Sequence, residues 1–242
     1  MNRILFEPGE IIDGVVTFGG ERAEHVLSIL HGEVGQVLKT GEIGGLIGNG
    51  VITAINGGEV TVKTNHDHES AKPWIDLILA PPRPRVMKRL LPQLATLGVG
   101  EIVLVGANKT EKDFWGATLL KPANYRPLLI DGLMQAGTSI LPNLRMEKSL
   151  NRYLKGGLTE FAGHRRLIAH PYDVGAGAGE AAGDSRVRRP VVAIGPEGGW
   201  TDDEVAAFER LGFERYSLGS RILRTDTACV ALLAQLMKEY GE

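Results

Sequence analysis

From Pro73 onward, short runs of consecutive apolar residues alternate with stretches of helical spacing. The runs Trp74–Ala80, Glu101–Gly106 and Pro190–Gly195 carry apolar side chains at neighbouring positions rather than at every second one. A strand with one wet face alternates, so a continuous apolar run calls for cover on both faces. Helical patterns separate the runs at Val86–Leu97, Leu119–Ala136 and Asp202–Leu211, and a last one fills Thr225–Tyr240. Shorter strands are expected at Arg166–Ala169 and Glu214–Leu218. Pro92 falls inside the first helix, where it removes one backbone hydrogen bond and should kink it. This order predicts an α/β domain with a mainly parallel sheet. Function in such sheets gathers at the carboxyl ends of the strands.

The first seventy residues read differently. Val34–Thr40 alternates and meets a turn expected at Gly41. Val51–Ile55 and Glu59–Lys63 flank Asn56-Gly57-Gly58, a hairpin signal because these residues tolerate positive φ. Ala23, Val26, Leu27 and Leu30 follow helical spacing within Glu21–Leu30. A small β-barrel with one helix fits these elements. Asn65–Pro73 is polar, ends in proline and reads as a linker. The expected domains are therefore residues 1–70 and 71–242. His66 and His68 sit in that polar stretch without further nearby ligands, and no metal is expected there.

Charge and cysteine usage exclude several classes. One cysteine, Cys229, rules out an internal disulfide and a cysteine-built zinc site. It sits in an apolar helical stretch and is expected in the core. His164 and His170 have no obvious partners and are expected to be structural or exposed. No stretch approaches the roughly 20 apolar residues that span a bilayer. The start of the chain meets acid and proline too early for a signal peptide, so a cytoplasmic protein without membrane contact is expected. The net charge of −2 argues against strong non-specific polyanion binding. Its distribution is uneven: residues 1–70 hold 4 basic and 10 acidic side chains, whereas residues 71–160 hold 13 and 7. An anionic partner would be drawn to the middle third.

Four segments could carry chemistry. In Val191–Glu204 a buried-type strand runs into Gly195-Pro196-Glu197-Gly198-Gly199, then Thr201 stands three residues before Glu204 as a capping box. Glycines there let the backbone approach a ligand closely. In Ser217–Ala228, Gly219 breaks a strand and Arg221 and Arg224 flank Ile222 and Leu223, a setting suited to a planar or anionic group. Gly177–Ala182 matches a dinucleotide-binding glycine pattern, but no buried strand leads directly into it, and a small-residue loop is the better reading. Arg83-Pro84-Arg85-Val86-Met87-Lys88-Arg89 places four cations after a strand, where phosphates could be met. No nucleophile elbow, P-loop or HExxH motif is present.

The pair Ile194–Glu204 and Ser217–Ala228, in this order near the end of the chain, resembles the bacterial 16S rRNA uridine-N3 methyltransferase family. These are the small-subunit methyltransferases of type E, within the SPOUT class of knotted methyltransferases. The Asn-Arg-Ile opening and the run Leu97–Ile102 share the family layout. The resemblance implies an N-terminal PUA-like β-barrel, a C-terminal α/β trefoil-knot domain, and a homodimer acting on 16S rRNA in the small ribosomal subunit. It implies S-adenosylmethionine as methyl donor and requires no metal. Carried over by position, Leu79, Ile194, Gly195, Glu197, Gly198, Leu218, Gly219, Ile222, Leu223 and Thr225 would form the donor site. Arg224 would stabilise charge developing on the base, with Glu197 orienting it. Arg3, Arg83, Arg85 and Gln135 would meet the RNA. The sequence departs from the family at Asp226, where glutamate is usual, and at Thr138, where arginine is usual. Two alternatives follow from these departures: the same fold acting on another RNA, or a donor-binding homologue without transfer.

Overall fold

The computed structural model describes residues 2–171 and 189–241. The small-residue loop expected at Val174–Asp184, with its glycine pattern at Gly177–Ala182, lies outside the described residues. The chain folds as two units: Met1–Lys72 with Ile130–Leu141, and Pro73–Leu129 with Pro142–Glu242.

In the first unit, β1 (Ile4–Phe6), β3 (Val37–Glu42), β4 (Ile47–Asn56), β5 (Glu59–His68) and β2 (Val15–Phe18) form a five-stranded sheet in the order β1-β3-β4-β5-β2. β1 pairs with β3 in parallel and the other pairs are antiparallel. Alternation decides the faces: in β2, Val16 and Phe18 are buried while Val15 and Thr17 are exposed. Phe6, Phe18, Leu38, Ile52, Val60 and Val62 share a core with Ala23 and Val26. The latter two come from α1 (Gly20–Glu24) and the π-helical turn His25–Ile29 that continues it. Gly57 and Gly58 take φ of 57° and 87°, so the hairpin turns on the glycine pair, with Asn56 and Glu59 already paired as strand residues.

Two expected boundaries move. Gly41 is not a turn but lies inside β3, opposite Ile47, and a Cβ there would come within 2.9 Å of the Ile47 side chain. The reversal falls instead at Gly44, where φ is 77°. Asn65–His68 belongs to β5 rather than to a linker, because its polar residues pair with Ile47–Asn49 along a strand that is wet on one face. His66 packs there with its Nε2 at 2.8 Å from Thr40 Oγ1. Burial holds the His66 imidazole below its usual range.

The second unit is built on a six-stranded, wholly parallel sheet in the order β11-β9-β10-β6-β7-β8. Its strands are β6 (Ile75–Leu79), β7 (Val99–Val105), β8 (Asn143–Glu147), β9 (Arg165–Ala169), β10 (Pro190–Ile194) and β11 (Glu214–Tyr216). β6 and β10 are buried at every position, as continuous apolar runs require. β8 carries no such run: it is an edge strand whose Asn143 donates to Glu101 and whose Arg145 pairs with Glu101 and Glu160.

α2 (Pro84–Thr96) follows β6 with Pro84 at its first turn and Pro92 inside it, and buries Met87, Leu90, Leu91, Leu94 and Ala95. α4 (Leu150–Lys155) and α5 (Asp202–Arg210) share the core with Val191, Ala193, Trp200 and Phe213. α6 (Thr225–Tyr240) returns from the edge strand β11 to pack on α2 and the central strand β10. α3 (Pro122–Ala136) runs through one unit's boundary into the other at Ile130. Chain direction diverges at β6. β7 and β8 lie on one side of β6, and β10, β9 and β11 on the other. A crevice for a ligand is expected outside the carboxyl ends at such a point.

Candidate active site

The crevice is present. Ala80 N donates to Ile194 O at 2.9 Å, so the carboxyl ends of β6 and β10 are joined and the chain beyond Ile194 must turn. Gly195 passes close to the Trp200 ring, and a Cβ on it would lie 3.2 Å from the indole. The turn closes with Gly199 N on Pro196 O at 2.8 Å, and Gly199 takes φ of 70°. Thr201 then caps α5 in the expected capping box.

Glu204 does more than complete that box. It is 3 % exposed, and its Oε2 accepts from Thr201 N at 2.8 Å and Thr201 Oγ1 at 3.1 Å. Its Oε1 accepts from Asn108 N at 2.7 Å. The carboxylate thus ties the glycine turn to the loop after β7, and Lys109 on that loop donates from Nζ to Gly198 O at 2.8 Å.

Ser217–Thr225 forms the facing wall. Gly219 turns at φ of 107°, with its N–H on Ser217 Oγ at 3.0 Å. Thr225 Oγ1 donates to Gly195 O at 3.2 Å, which fastens the start of α6 to the end of β10. Between the walls lies a cavity of about 410 Å3, lined by residues 169–171, 194–200, 216–219 and 221–223 with Thr225, Ala228 and Leu232. It is mainly apolar with a few polar groups, as small-molecule sites are. The indole N–H of Trp200, which lines it, is buried and has no partner among the described residues. A buried donor without an acceptor costs about 1–3 kcal/mol unless a ligand supplies one.

A family model described as an RNA methyltransferase domain matches residues 68–237. The ribosomal RNA small subunit methyltransferase E of Treponema pallidum is 31% identical over 98% of this chain and 91% of its own length. The chain belongs to the ribosomal RNA small-subunit methyltransferase E family. A solved structure of a Legionella pneumophila protein in complex with the bound cofactor SAM is 25% identical and covers 98% of this chain and 97% of its own, with a TM-score of 0.74. The small-subunit methyltransferase E of Neisseria gonorrhoeae shares the fold, with a TM-score of 0.77, 22% identity and coverage of 99% and 98%.

Within this methyltransferase fold, Ile194, Gly195, Glu197, Gly198, Leu218, Gly219, Ile222, Leu223 and Thr225 all line the one cavity. Leu79 does not: it is fully buried as the last residue of β6, opposite Ile194. Arg224 is exposed and outside the lining, although both its neighbours are in it. Ile222 is 91 % exposed while bordering the cavity.

Arg83 and Arg85 are exposed at the start of α2, and Glu111 beside Arg83 raises that guanidinium's affinity for its proton. Arg3 and Gln135 belong to the first unit. Arg3 spends its guanidinium on the carbonyls of Gly137, Thr40 and Gly48 at 2.7–2.9 Å. Gln135 is exposed and accepts from Asn2 through its backbone oxygen.

Trp200 and Tyr216 line the cavity without having been named as site residues, and His170, expected to be structural or exposed, lines it too; their position at or beyond the carboxyl ends of β10, β11 and β9 was the available signal. Cys229 is buried in α6, and burial pushes its thiol up. His164 bonds Asp76 at 2.9 Å near the amino ends of the strands, away from the cavity.

Proposed function

We propose that the chain transfers a methyl group from S-adenosylmethionine to N3 of a uridine in 16S rRNA of the small ribosomal subunit. The observation that carries this reading is the cavity that gathers both glycine-bearing segments at the carboxyl ends of β6 and β10. Family membership and the SAM-bound Legionella pneumophila relative support the donor. The residues present fit it: backbone groups freed by Gly195, Gly198 and Gly219 meet polar atoms, apolar Ile194, Leu218 and Leu223 flank a ring, and Trp200 offers an unspent N–H.

S-adenosylmethionine, when bound, supplies a methyl carbon made electrophilic by an adjacent sulfonium. The chain's own residues then have two tasks. They hold donor and base in line, which is worth several kcal/mol through orientation alone. They also accommodate negative charge on the uracil as its N3 proton passes to solvent, and that is the role proposed for Arg224, with Glu197 orienting. Arg3, Arg83, Arg85 and Gln135 are proposed RNA contacts. Residues 1–70 are proposed as a PUA-like barrel and 71–242 as the transferase domain. The return of α6 from the edge strand to the sheet centre supports the trefoil knot of the SPOUT class. The cytoplasmic homodimer is part of the same reading.

The test is transfer of labelled methyl to small subunits from cells lacking the modification, with product nucleosides identified by mass. Label in N3-methyluridine is expected, and its absence with donor binding intact would overturn the reading. Arg224→Ala should bind donor normally and turn over slowly; normal turnover would remove Arg224 from catalysis.

A further inference from the structure

A second, smaller cleft shares a wall with the large cavity. Pro196 and Glu197 line both, and the cleft's other sides come from Pro81–Arg83 after β6 and Lys109–Glu111 with Phe114 after β7. Its apolar surface is supplied by Pro81, Pro82 and Phe114, and its cations by Arg83 and Lys109. The two cations are held rather than loose: Arg83 Nε donates to Glu111 Oε1 at 2.9 Å, and Lys109 Nζ to Gly198 O at 2.8 Å. Each keeps further N–H donors, since an ammonium has three and a guanidinium five.

We infer that this cleft seats the target base, with Lys109 and Arg83 reading the two carbonyl oxygens of a uracil where the cleft meets the donor cavity at Pro196 and Glu197. The inference rests on the larger cavity being the donor site. An apolar slot with donors at its rim suits a flat base better than a phosphate, which would face the carboxylates of Glu111 and Glu197. Uracil presents O4, N3–H and O2 along one edge. Loss of the N3 proton to solvent spreads charge onto both oxygens, where cations oppose it. The N3 lone pair then forms the bond to the methyl carbon as the carbon–sulfur pair withdraws to sulfur. Cytosine presents an amino donor in place of O4 and would set donor against donor, so the cations also select the base.

Two experiments test this. In the first, protein saturated with S-adenosylhomocysteine is irradiated with a short RNA carrying a single 4-thiouridine, and the crosslinked peptide is mapped. Attachment within residues 81–83 or 109–114 is expected, and attachment to 221–224 alone would overturn the seat. In the second, Lys109→Met should raise KM for small subunits about tenfold, the worth of one charge-assisted hydrogen bond, measured at saturating donor because the same lysine also holds Gly198 O in the donor wall. Lys109→Arg should restore most of the loss. An unaltered KM in Lys109→Met would overturn the seat. The crosslink is independent of turnover, so a wild-type protein that makes no N3-methyluridine yet crosslinks at Phe114 would refute the transfer reading and keep the seat.

Discussion

Replacing Glu204 by Gln should cost more than any exposed substitution in the second unit. The carboxylate is 3 % exposed and accepts three hydrogen bonds, two of them from the backbone N–H groups of Asn108 and Thr201. Glutamine keeps one acceptor oxygen and turns an amide NH2 toward the remaining N–H, so one buried backbone donor loses its partner. That loss costs about 1–3 kcal/mol, and removing the charge from the surviving bonds adds about 1 kcal/mol. For a chain of this size each kcal/mol shifts Tm by roughly 2–4 °C, so a fall of about 4–16 °C is expected. Thermal unfolding followed by circular dichroism measures it. Donor affinity, measured by calorimetry, should fall as well, because the same carboxylate joins Thr201, just after the glycine turn, to Asn108. Glu204→Ala should be worse than Glu204→Gln, since both backbone donors are then stranded. A Glu204→Gln protein that melts within about 2 °C of wild type and binds donor equally would refute the view that this carboxylate holds the two loops together.

Thr225→Val keeps shape but leaves Gly195 O without its 3.2 Å donor. A loss of about 1–2 kcal/mol in urea unfolding is expected, together with weaker donor binding. Cys229 is buried and its thiol is pushed up, so an aromatic disulfide reagent should modify it no faster than the protein unfolds. Rapid labelling of native protein would contradict the packing of α6. His66 is held below its usual range by burial, so its neutral form stabilises the first unit. That stabilisation is complete above the unfolded value near 6.5 and declines as pH falls from there toward the lower folded value. His66→Gln should flatten the dependence of Tm on pH below about 6.5, and an unchanged slope would assign it to another group.

Much of the second unit is legible in the chain because its information is local. β6, β7 and β10 announce themselves as apolar runs, and the start of α5 by Thr201 and Glu204. The facing segments 194–200 and 216–225 could be named from their glycines alone. What brings them together could not. The bond from Thr225 to Gly195 and that from Asn108 to Glu204 join residues far apart in sequence, and a backbone N–H leaves no mark on residue type. β8 is missed for the opposite reason: as an edge strand it needs no apolar run, and Asn143-Leu144-Arg145-Met146-Glu147 offers none. The polar run after Asn65 misleads because the wet face of a strand and a linker share a composition.

The placement of residues 130–141 with the first unit bears on how such genes can be cut and recombined. Asn2 and Arg3 find their acceptors on Gln135 and Gly137, and Ser139 takes its amide partner from Ser70 Oγ and gives its carbonyl to Gly44. A crossover placed after Lys72 would import the five-stranded sheet from one parent and residues 130–141 that pair with it from the other. Every such chimaera must satisfy these pairings between foreign halves. The leading segment and residues 130–141 are therefore expected to travel together through descent, and shuffling libraries should tolerate paired exchange of both while rejecting exchange of either alone.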